Sequence, residues 1–220
     1  MRRYASDNMI GIDEAGRGAI IGNLVVAAVQ ATPQEIRKLK RMGVKDSKQL
    51  TPKMREDLYV RIITDFKYQT ISADPQVIDL HVGGFFNLNY LEAKMMANLV
   101  TRFPMSKETV ILDCPDVNTR RFSKVVRSHI IPSPLIRSAH KADVNYPVVS
   151  AASIIAKVQR DRQIQNLNWN LGDIGSGYPS DPKTRRFLIE WVIKHNGEIP
   201  LFARKSWASW KAWRREIISV

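Results

Sequence analysis

Two adjacent acids, Asp13 and Glu14, directly follow the apolar, strand-like stretch 9–12. Because side chains alternate between the two faces of a strand, one of these carboxylates is expected to face the interior side of a sheet. A buried carboxylate is costly unless it is paired or binds a metal ion. The alternative is that the strand ends by Asp13 and that both acids lie in a solvated turn. For an acid pair taken alone, the solvated turn is the better interpretation.

A glycine-flanked arginine, Gly16-Arg17-Gly18, follows the acids and shifts this interpretation. Glycine allows close backbone approach and positive φ, and an arginine between glycines is suited to bidentate contact with a phosphate. Carboxylates beside a bound phosphate need a divalent cation between them, because the bare negative charges repel each other. The motif therefore predicts metal-assisted chemistry on a phosphate, and it requires further acids elsewhere in the chain.

Two further acids occupy suitable positions. Asp113 ends the apolar strand 110–113, and the carboxyl end of a strand is a usual place for site residues in α/β sheets. Asp143 lies just before a helix that is predicted to start near Ser150. From spacing alone other roles stay open, since Asp113 could cap a turn and Asp143 could cap the helix or pair with Lys141.

Four such carboxylates could together hold two divalent ions roughly 3.5–4 Å apart, one activating water and one steadying the leaving oxygen. Mg²⁺ or Mn²⁺ is the expected ion, because the ligands are hard oxygens and the sequence has no Cys/His cluster.

The elements that must position these residues follow from hydrophobic periodicity. The opening strand and a β-prone run, Leu24–Val29, predict a hairpin-like unit. Thr51-Pro52 is a helix start, followed by a buried stripe at four-residue spacing. The residues of this stripe are Met54, Leu58, Ile62 and Phe66. The remaining assignments are helices at 34–41, 89–100 and 151–165, strands at 66–73 and 109–113, and a loop at 79–87. This order predicts an α/β fold with a mixed sheet flanked by helices.

Residues 181–220 change in character. Asp181-Pro182 caps a predicted helix that stops at Gly197, and a second helix over 206–217 carries three tryptophans. We expect the tryptophans to pack these helices on the main domain rather than to stack on bases. The sequence thus predicts a catalytic domain over 1–180 and a small C-terminal helical extension over 181–220.

Composition limits the class of function. The chain has 220 residues with 34 Lys and Arg against 21 Asp and Glu, so its formal net charge is +13. Such a balance favours a polyanionic partner, with nucleic acid ahead of a membrane, since no basic amphipathic anchor is evident. No run is long enough to span a bilayer and no signal peptide is evident. The single cysteine, Cys114, excludes an internal disulfide and favours a cytoplasmic setting.

Several motifs, met in order along the chain, resemble type 2 ribonuclease H, the ribonuclease HII family. The motifs, which cover about residues 9–190, are 11–18, 45–48, 112–116, 141–143, 146–157 and 175–181. The 148–157 block and the Cys-Pro-Asp strand end are most similar to archaeal members. The resemblance implies an RNase H-like fold in which Asp13, Glu14, Asp113 and Asp143 are the metal-binding catalytic acids.

The same resemblance assigns substrate contacts. It implies that Gly16, Arg17 and Gly18 grip the backbone around a target ribonucleotide and sense its 2′-hydroxyl. Tyr178 resembles the tyrosine that stacks on the sugar beyond the scissile site, although it could also merely fill a turn. Three further residues resemble phosphate holders or form an ordinary solvated loop: Lys45, Ser47 and Lys48. The chain departs from the family where prolines are common, at Ala19 and Asn23, and this puts the rigidity of the substrate loop in doubt.

The implied enzyme hydrolyses the RNA strand of RNA–DNA hybrids and cuts 5′ to a single ribonucleotide in duplex DNA, leaving 3′-hydroxyl and 5′-phosphate ends. We expect a monomer; contact with a replication clamp is open, since no convincing clamp-binding motif ends the chain. Two alternatives stay open. One is another two-metal nuclease or nucleotidyl transferase acting on DNA alone, which would not require a 2′-hydroxyl. The other is a non-enzymatic duplex-binding module, which would tolerate Asp113→Asn.

Overall fold

A mixed five-stranded sheet carries the residues predicted to do chemistry. The computed structural model of the chain describes residues 8–44, 50–84, 86–104 and 108–218. Within that part, the strands are β1 (Met9–Ala15), β2 (Leu24–Ala31), β3 (Lys67–Ala73), β4 (Thr109–Asp113) and β5 (Leu135–Ala139). They lie in the order β3-β2-β1-β4-β5, so β5 is an edge strand next to β4.

The helices of the described part lie between the later strands and after the last one. They are α1 (Pro33–Arg41), α2 (Pro52–Asp65), α3 (Pro75–Val82), α4 (Leu88–Val100), α5 (Thr119–Ser128), α6 (Ala142–Asn145), α7 (Pro147–Leu171), α8 (Pro182–Lys194) and α9 (Ser209–Ile218). Several begin as the sequence predicts. Thr51 caps α2 and Asp181 caps α8, each accepting a hydrogen bond from a backbone N–H of the first turn and each followed by proline.

The predicted hairpin is confirmed, and the opening strand does not end at Asp13. β1 and β2 pair in antiparallel fashion along their whole length, with Asp13 opposite Ala27 and Glu14 opposite Val26. β1 also pairs in parallel with β4, and β4 with β5. Every residue of β2 is buried. Both acids therefore belong to a central strand and not to a solvated turn.

Some local assignments were wrong. The stretch from Asp79, predicted as loop, begins inside α3, which Asp74 caps and Pro75 opens. The glycine pair at 83–84 suggested a loop, but it only ends this helix. Met54 is half-exposed, so the stripe on α2 buries Leu58 and Ile62 without it. Helix α5 and strand β5 have no counterpart among the predicted elements.

The chain divides into two compact units that interleave along the sequence. The first contains the described residues within 1–15, 25–71 and 89–158, and the second those within 16–24, 72–88 and 159–220. The first unit has a core of β1 and β2 residues with the apolar faces of α2 and α7. The second has its own core, in which Ile20, Leu188 and Trp213 are buried together. The division into 1–180 and 181–220 stays a prediction.

Among the helices of the described residues, none has the length and apolar character needed to cross a membrane.

Gly11 fixes how closely β1 can approach the start of α7. A Cβ atom at this position would lie 2.4 Å from the carbonyl carbon of Val148 and 2.5 Å from the backbone nitrogen of Val149. Both contacts are with backbone atoms, which cannot rotate away as a side chain can. The glycine therefore allows the acid-bearing strand to pack directly on the helix that follows Asp143.

We expect Gly11→Ala to lower the free energy of unfolding by at least about 2 kcal/mol, because the new methyl group overpacks a rigid contact. The control is Gly43→Ala, at a position with φ +76° and no atom within 4 Å of the added Cβ. There only the left-handed backbone opposes a side chain, at a cost of about 1–2 kcal/mol. Urea unfolding of both variants measures the difference. A loss at Gly11 no larger than that at Gly43 would contradict the packing argument.

Candidate functional site

Asp13 and Asp113 come together because the strands that carry them are parallel neighbours. Ile12 pairs with Leu112, so the next residue of each strand is an aspartate at the same level of the sheet. Adjacent strands are about 4.8 Å apart, which makes the two carboxylates close neighbours. The chain therefore brings together, at the carboxyl ends of two inner strands, two acids that are 100 positions apart in the sequence.

Asp143 reaches the same place through the short helix α6. The Oδ1 atom of Asp113 accepts a hydrogen bond of 2.7 Å from the backbone N–H of Ala142, the first residue of that helix. Lys141, just before it, has a left-handed backbone with φ 55° that turns the chain into α6. Asp143 is buried one residue further on. We call Asp13, Asp113 and Asp143 the carboxylate cluster.

Asp13 experiences electrostatic strain in this cluster. Its side chain is buried, and burial followed by repulsion from Asp113 raises its pKa to about 8. Asp143 adds repulsion, whereas hydrogen bonds from the Ser153 side chain and from the backbone N–H of Glu14 act in the opposite direction. The second of these bonds is 2.8 Å long. Two buried carboxylates and the half-buried Asp113 thus lie close enough that they cannot all ionise at neutral pH without compensating charge.

Glu14 lies next along β1 and is half-buried. With Asp116 and Asp113, its charge helps to raise the pKa of the Cys114 thiol, although burial is the main cause of that shift. Glu14 is therefore electrostatically coupled to the end of β4. Cys114 itself is buried, and its raised pKa keeps the thiol protonated, which is the opposite of what a cysteine nucleophile needs.

The donor set suits a divalent cation. All four predicted ligands are carboxylates, the hard oxygen donors that Mg²⁺ and Mn²⁺ prefer. A cation at the carboxylate cluster would supply positive charge that offsets the ionised carboxylates, and it would lower the pKa of Asp13. Across residues 8–44, 50–84, 86–104 and 108–218, no group of three or more Asp, Glu, His or Cys side chains is already arranged as a set of metal ligands. The acids are thus gathered without being preformed into a coordination sphere.

Asp116 has a different use. Its carboxylate accepts hydrogen bonds from the Arg121 guanidinium at 2.7 and 2.8 Å and from the backbone N–H of Asn118 at 2.9 Å. These bonds, the Arg121 side chain first, lower its pKa. Asp116 therefore anchors the turn that leads into α5.

The second unit contains the glycine–arginine loop, residues 16–23. Gly16 has φ +87°, and a Cβ there would lie 2.6 Å from the carbonyl oxygen of Asn23, so the loop requires glycine. The N–H of Ala19 donates to the Gly16 carbonyl at 3.2 Å and closes the turn. A proline at position 19 has no N–H and could not make this bond. The departure from the family pattern thus exchanges a stiff ring for a hydrogen bond.

The residue that organises this loop is one that the sequence did not indicate. The guanidinium of Arg204 is fully buried and donates hydrogen bonds to the carbonyls of Gly16 at 2.7 Å, Arg17 at 2.8 Å and Gly22 at 3.0 Å. In a trans peptide, the carbonyl and the N–H of the same unit point in opposite directions. Arg204 therefore directs the next two N–H groups, those of Arg17 and Gly18, away from itself.

The segment around Arg204 is itself held from two sides. Its guanidinium lies 4.6 Å from the centroid of the Trp207 ring, a cation–π contact. The Asp79 carboxylate on α3 accepts from the backbone N–H groups of Lys205 at 2.8 Å and Ser206 at 3.0 Å. No local pattern could have indicated these contacts, because Arg204 lies 187 residues after Arg17.

Tyr178 also lies in the second unit, on a turn built by its neighbours. The carbonyl of Gly177 accepts from the N–H groups of Ile20 at 2.8 Å and Ile21 at 3.1 Å, which ties this turn to the glycine–arginine loop. The buried guanidinium of Arg160 lies 4.6 Å from the centroid of the Tyr178 ring. The ring is therefore supported by a cation and stays half-exposed, and its role in substrate contact stays a prediction.

The three predicted phosphate holders lie outside the described residues; they are Lys45, Ser47 and Lys48. Of the other predicted residues, the structure groups Asp13, Asp113 and Asp143 in the first unit, with Glu14 adjacent on β1. In the second unit it groups Gly16, Arg17, Gly18 and Tyr178. Sequence reasoning did not find Arg204 and Arg160, which hold the loop and the tyrosine.

Comparison with known proteins gives consistent results. A family model described as Ribonuclease HII matches residues 10–210. Ribonuclease HII of Pyrococcus abyssi is 43% identical over 200 residues, which are 90% of this chain and 87% of the relative. Ribonuclease HII of Methanococcus maripaludis strain C7 is 43% identical over 212 residues, 95% of this chain and 88% of the relative.

Solved structures agree in fold. Ribonuclease H2 from Pyrococcus horikoshii OT3 superposes with a TM-score of 0.87 at 36% identity, over 97% of this chain and all (100%) of that one. The PCNA:RNase HII complex from Archaeoglobus fulgidus gives 0.81 at 38% identity, over 90% and 94%. Bst-RNase HIII in complex with Mn²⁺ gives 0.82 at 22% identity, over 98% and 72%, a likeness of fold alone. The predicted RNase H-like α/β fold is confirmed.

The raised pKa of Asp13 makes a prediction about metal-free protein. Between the ordinary aspartate pKa of about 3.9 and the folded value of about 8, the native state binds a proton that the unfolded state has lost. The wild-type free energy of unfolding should therefore fall as pH rises from 4 to 8. Asp13→Asn cannot ionise, so in chelator it should be more stable than wild type at pH 8, with the difference shrinking towards pH 4.

Urea unfolding with EDTA at pH 4, 6 and 8 measures this difference. The control is Asp173→Asn, because the Lys183 side chain lowers the pKa of Asp173 at the surface. That substitution should act with the opposite sign, lowering stability at pH 8 and leaving it nearly unchanged at low pH. Equal pH dependence in wild type and Asp13→Asn would show that Asp13 is not strained.

Arg204→Lys should destabilise the second unit. A lysine cannot match the fork of the guanidinium, so at least one buried carbonyl loses its donor, at a cost of roughly 2–4 kcal/mol. Hydrogen exchange should accelerate at the Ala19 amide, which closes the turn. Arg214→Lys, an exposed change on α9, is the matched control and should leave both measurements unchanged. Unaltered exchange at Ala19 in Arg204→Lys would show that the loop does not depend on the buried arginine.

Proposed function

We propose a specific reaction for this chain on the premise that it belongs to the ribonuclease HII family, whose model matches residues 10–210. As a member, it is a ribonuclease H, an endonuclease that hydrolyses the RNA strand of RNA–DNA hybrids. The proposal is that it also cuts 5′ to a single ribonucleotide embedded in duplex DNA, leaving 3′-hydroxyl and 5′-phosphate ends. It does so with two divalent ions, Mg²⁺ or Mn²⁺.

The observation that carries the proposal is the carboxylate cluster at the ends of β1 and β4. A bound cation would offset the charge that raises the pKa of Asp13 to about 8 in the absence of metal. Asp113 and Asp143 complete the cluster, and Glu14 is the fourth ligand. Divalent ions held there would lower the pKa of water and offset charge on the phosphate. The acids themselves hold the divalent ions in place, and their hard oxygen donors disfavour competing, softer cations.

Recognition of the ribonucleotide is assigned to the second unit. Arg204 binds the carbonyls of Gly16 and Arg17, and this orients the N–H groups of Arg17 and Gly18 for a ligand. Backbone donors at fixed positions suit the 2′-hydroxyl and its neighbouring phosphate, and the 2′-hydroxyl distinguishes RNA from DNA. Tyr178, supported by Arg160, stacks on the next sugar. Lys45, Ser47 and Lys48 hold phosphates.

Bulk charge supports duplex binding. The net charge of +13 provides a sequence-independent grip on the phosphate backbone, and this grip weakens as salt rises. Protein–nucleic acid recognition of this kind depends on shape and on the 2′-hydroxyl, not on base sequence. We expect the enzyme to act as a monomer in the cytoplasm.

A replication clamp is a candidate partner. The Archaeoglobus fulgidus relative is solved as a complex with PCNA and is 38% identical. We propose that this chain also contacts a sliding clamp. Co-migration of the two purified proteins on size exclusion, compared with each alone, tests this contact.

Cleavage of a DNA duplex with one ribonucleotide tests the main proposal. The duplex is incubated with Mg²⁺, Mn²⁺ or EDTA, beside an all-DNA duplex. We expect a single metal-dependent cut 5′ to the ribonucleotide and none in all-DNA. Asp113→Asn should lower kcat by at least about a hundredfold. It removes a carboxylate that is proposed to hold the divalent ions, and these ions would offset the charge on the reacting phosphate.

Asp57→Asn is the control, since Asp57 is an exposed acid on α2 outside the cluster. It should cut at the wild-type rate. Cutting of the all-DNA duplex would indicate a general nuclease, and binding without cutting would indicate a duplex-binding protein. Cleavage of long hybrids but not of single ribonucleotides would refute only the embedded-ribonucleotide part.

A further inference from the structure

Helix α5 and the edge strand β5 form a basic groove that none of the proposed site residues lines. Its volume is about 470 Å³, and its lining includes four cations and no acid: Arg120, Lys124, Arg127 and Arg137. Ser123 donates a hydrogen bond of 2.7 Å to Ser138, which joins the helix to the strand across the groove. This bond fixes the spacing of the two walls, so the groove is built into the first unit.

The sequence around the groove is depleted in acids. Residues 117–142 contain six Lys or Arg and no Asp or Glu. Of these cations, Arg121 is paired with Asp116. Within the described ranges, no ion pair joins Arg120, Lys124 or Arg127 to a carboxylate. The positive charge of these three side chains is therefore not neutralised by a carboxylate of the described residues.

The positions on α5 make this arrangement costly for the helix alone. Arg120, Lys124 and Arg127 are spaced four and three residues apart, so they lie on one exposed face. Like charges at these spacings destabilise a helix. The opposite face is ordinary, with Phe122 and Val126 buried. The cationic face thus opposes folding slightly, and a polyanionic ligand would explain it.

The groove lies close to the carboxylate cluster along the sheet. Arg137 pairs with Ile111 on β4, and Ala139 pairs with Asp113. Arg137 is therefore two residues, about 7 Å, back along the edge strand from the level of Asp113. A duplex carries one phosphate per strand for about every 3.4 Å of its axis. A strand bound at the acids would pass the groove within a few nucleotides.

We infer that the basic groove binds the phosphate backbone of the nucleic acid duplex a few nucleotides from the scissile phosphate. The inference rests on the proposed function, since it assumes that the duplex is held at the carboxylate cluster. Arginine and lysine contacts to phosphate carry no sequence information, so the groove positions the duplex and does not select a base sequence. Serine hydroxyls at the groove can donate to the same phosphates.

The test neutralises the helix face in one triple variant, Arg120→Gln with Lys124→Gln and Arg127→Gln. Glutamine is a good helix former and keeps most of the side-chain length. The matched control is Arg37→Gln with Lys40→Gln and Arg41→Gln, which removes the same charge from the exposed side of α1. Thermal unfolding of both proteins verifies that they are folded.

Three DNA duplexes with one ribonucleotide are compared: a short one, one with a long arm on the 5′ side, and one with a long arm on the 3′ side. For the α5 variant we expect KM on one of the two long-armed duplexes to rise about tenfold or more at physiological salt. The slope of log KM against log salt should fall by up to about three, one for each lost phosphate contact. On the short duplex, kcat and KM should stay within about twofold of wild type.

Two results would contradict the inference that the groove binds phosphates of the duplex. One is an equal KM change in the α1 control, which would mean that net charge alone acts. The other is an unchanged KM on both long-armed duplexes. If the wild-type enzyme cuts none of the duplexes, the proposed function fails independently. Fluorescence anisotropy on the same three duplexes, with Asp113→Asn alone and combined with the α5 triple variant, then still measures whether the groove binds.

Discussion

Electrostatic repulsion among carboxylates that the fold forces together is the constraint on which the first unit depends. Asp13 and Asp113 meet because β1 and β4 run in parallel with Ile12 opposite Leu112. Burial and that proximity raise the pKa of Asp13 to about 8. A fold tolerates such strain only when the surrounding packing determines the positions, and here Gly11 seats the strand directly on the backbone of α7. A divalent cation, as proposed for this site, would relieve this strain.

The second unit solves a different problem with a buried charge. Arg204 is fully buried, and its guanidinium is satisfied by loop carbonyls and by the face of Trp207. The same bonds that satisfy the arginine determine which way the peptides of the glycine–arginine loop face. The first unit concentrates negative charge, and the second unit orients backbone donors. Both are achieved by residues far apart in sequence.

The fold and the family were largely predictable. Alternation and apolar runs identified β1, β2 and β4, and proline with a capping side chain identified α2 and α8. Ribonuclease HII motifs at 11–18 and 146–157 indicated the family that the comparisons support. The missed elements have physical reasons. Helix α5 is strongly cationic on one face and has few buried residues, and β5 is a five-residue edge strand between prolines and a turn.

The sequence by itself determined the chemical character of the molecule: hard oxygen donors, a glycine-flanked arginine, and an excess of positive charge. These are properties of residue type and short spacing, which any conformation retains. Only the tertiary structure decided that burial and Asp113 raise the pKa of Asp13, that Arg204 holds the loop and that Arg160 supports Tyr178. A pKa depends on burial and on neighbours across strands, and a guanidinium finds its carbonyls across 187 residues. Residues separated by so much sequence come into contact only when the chain folds.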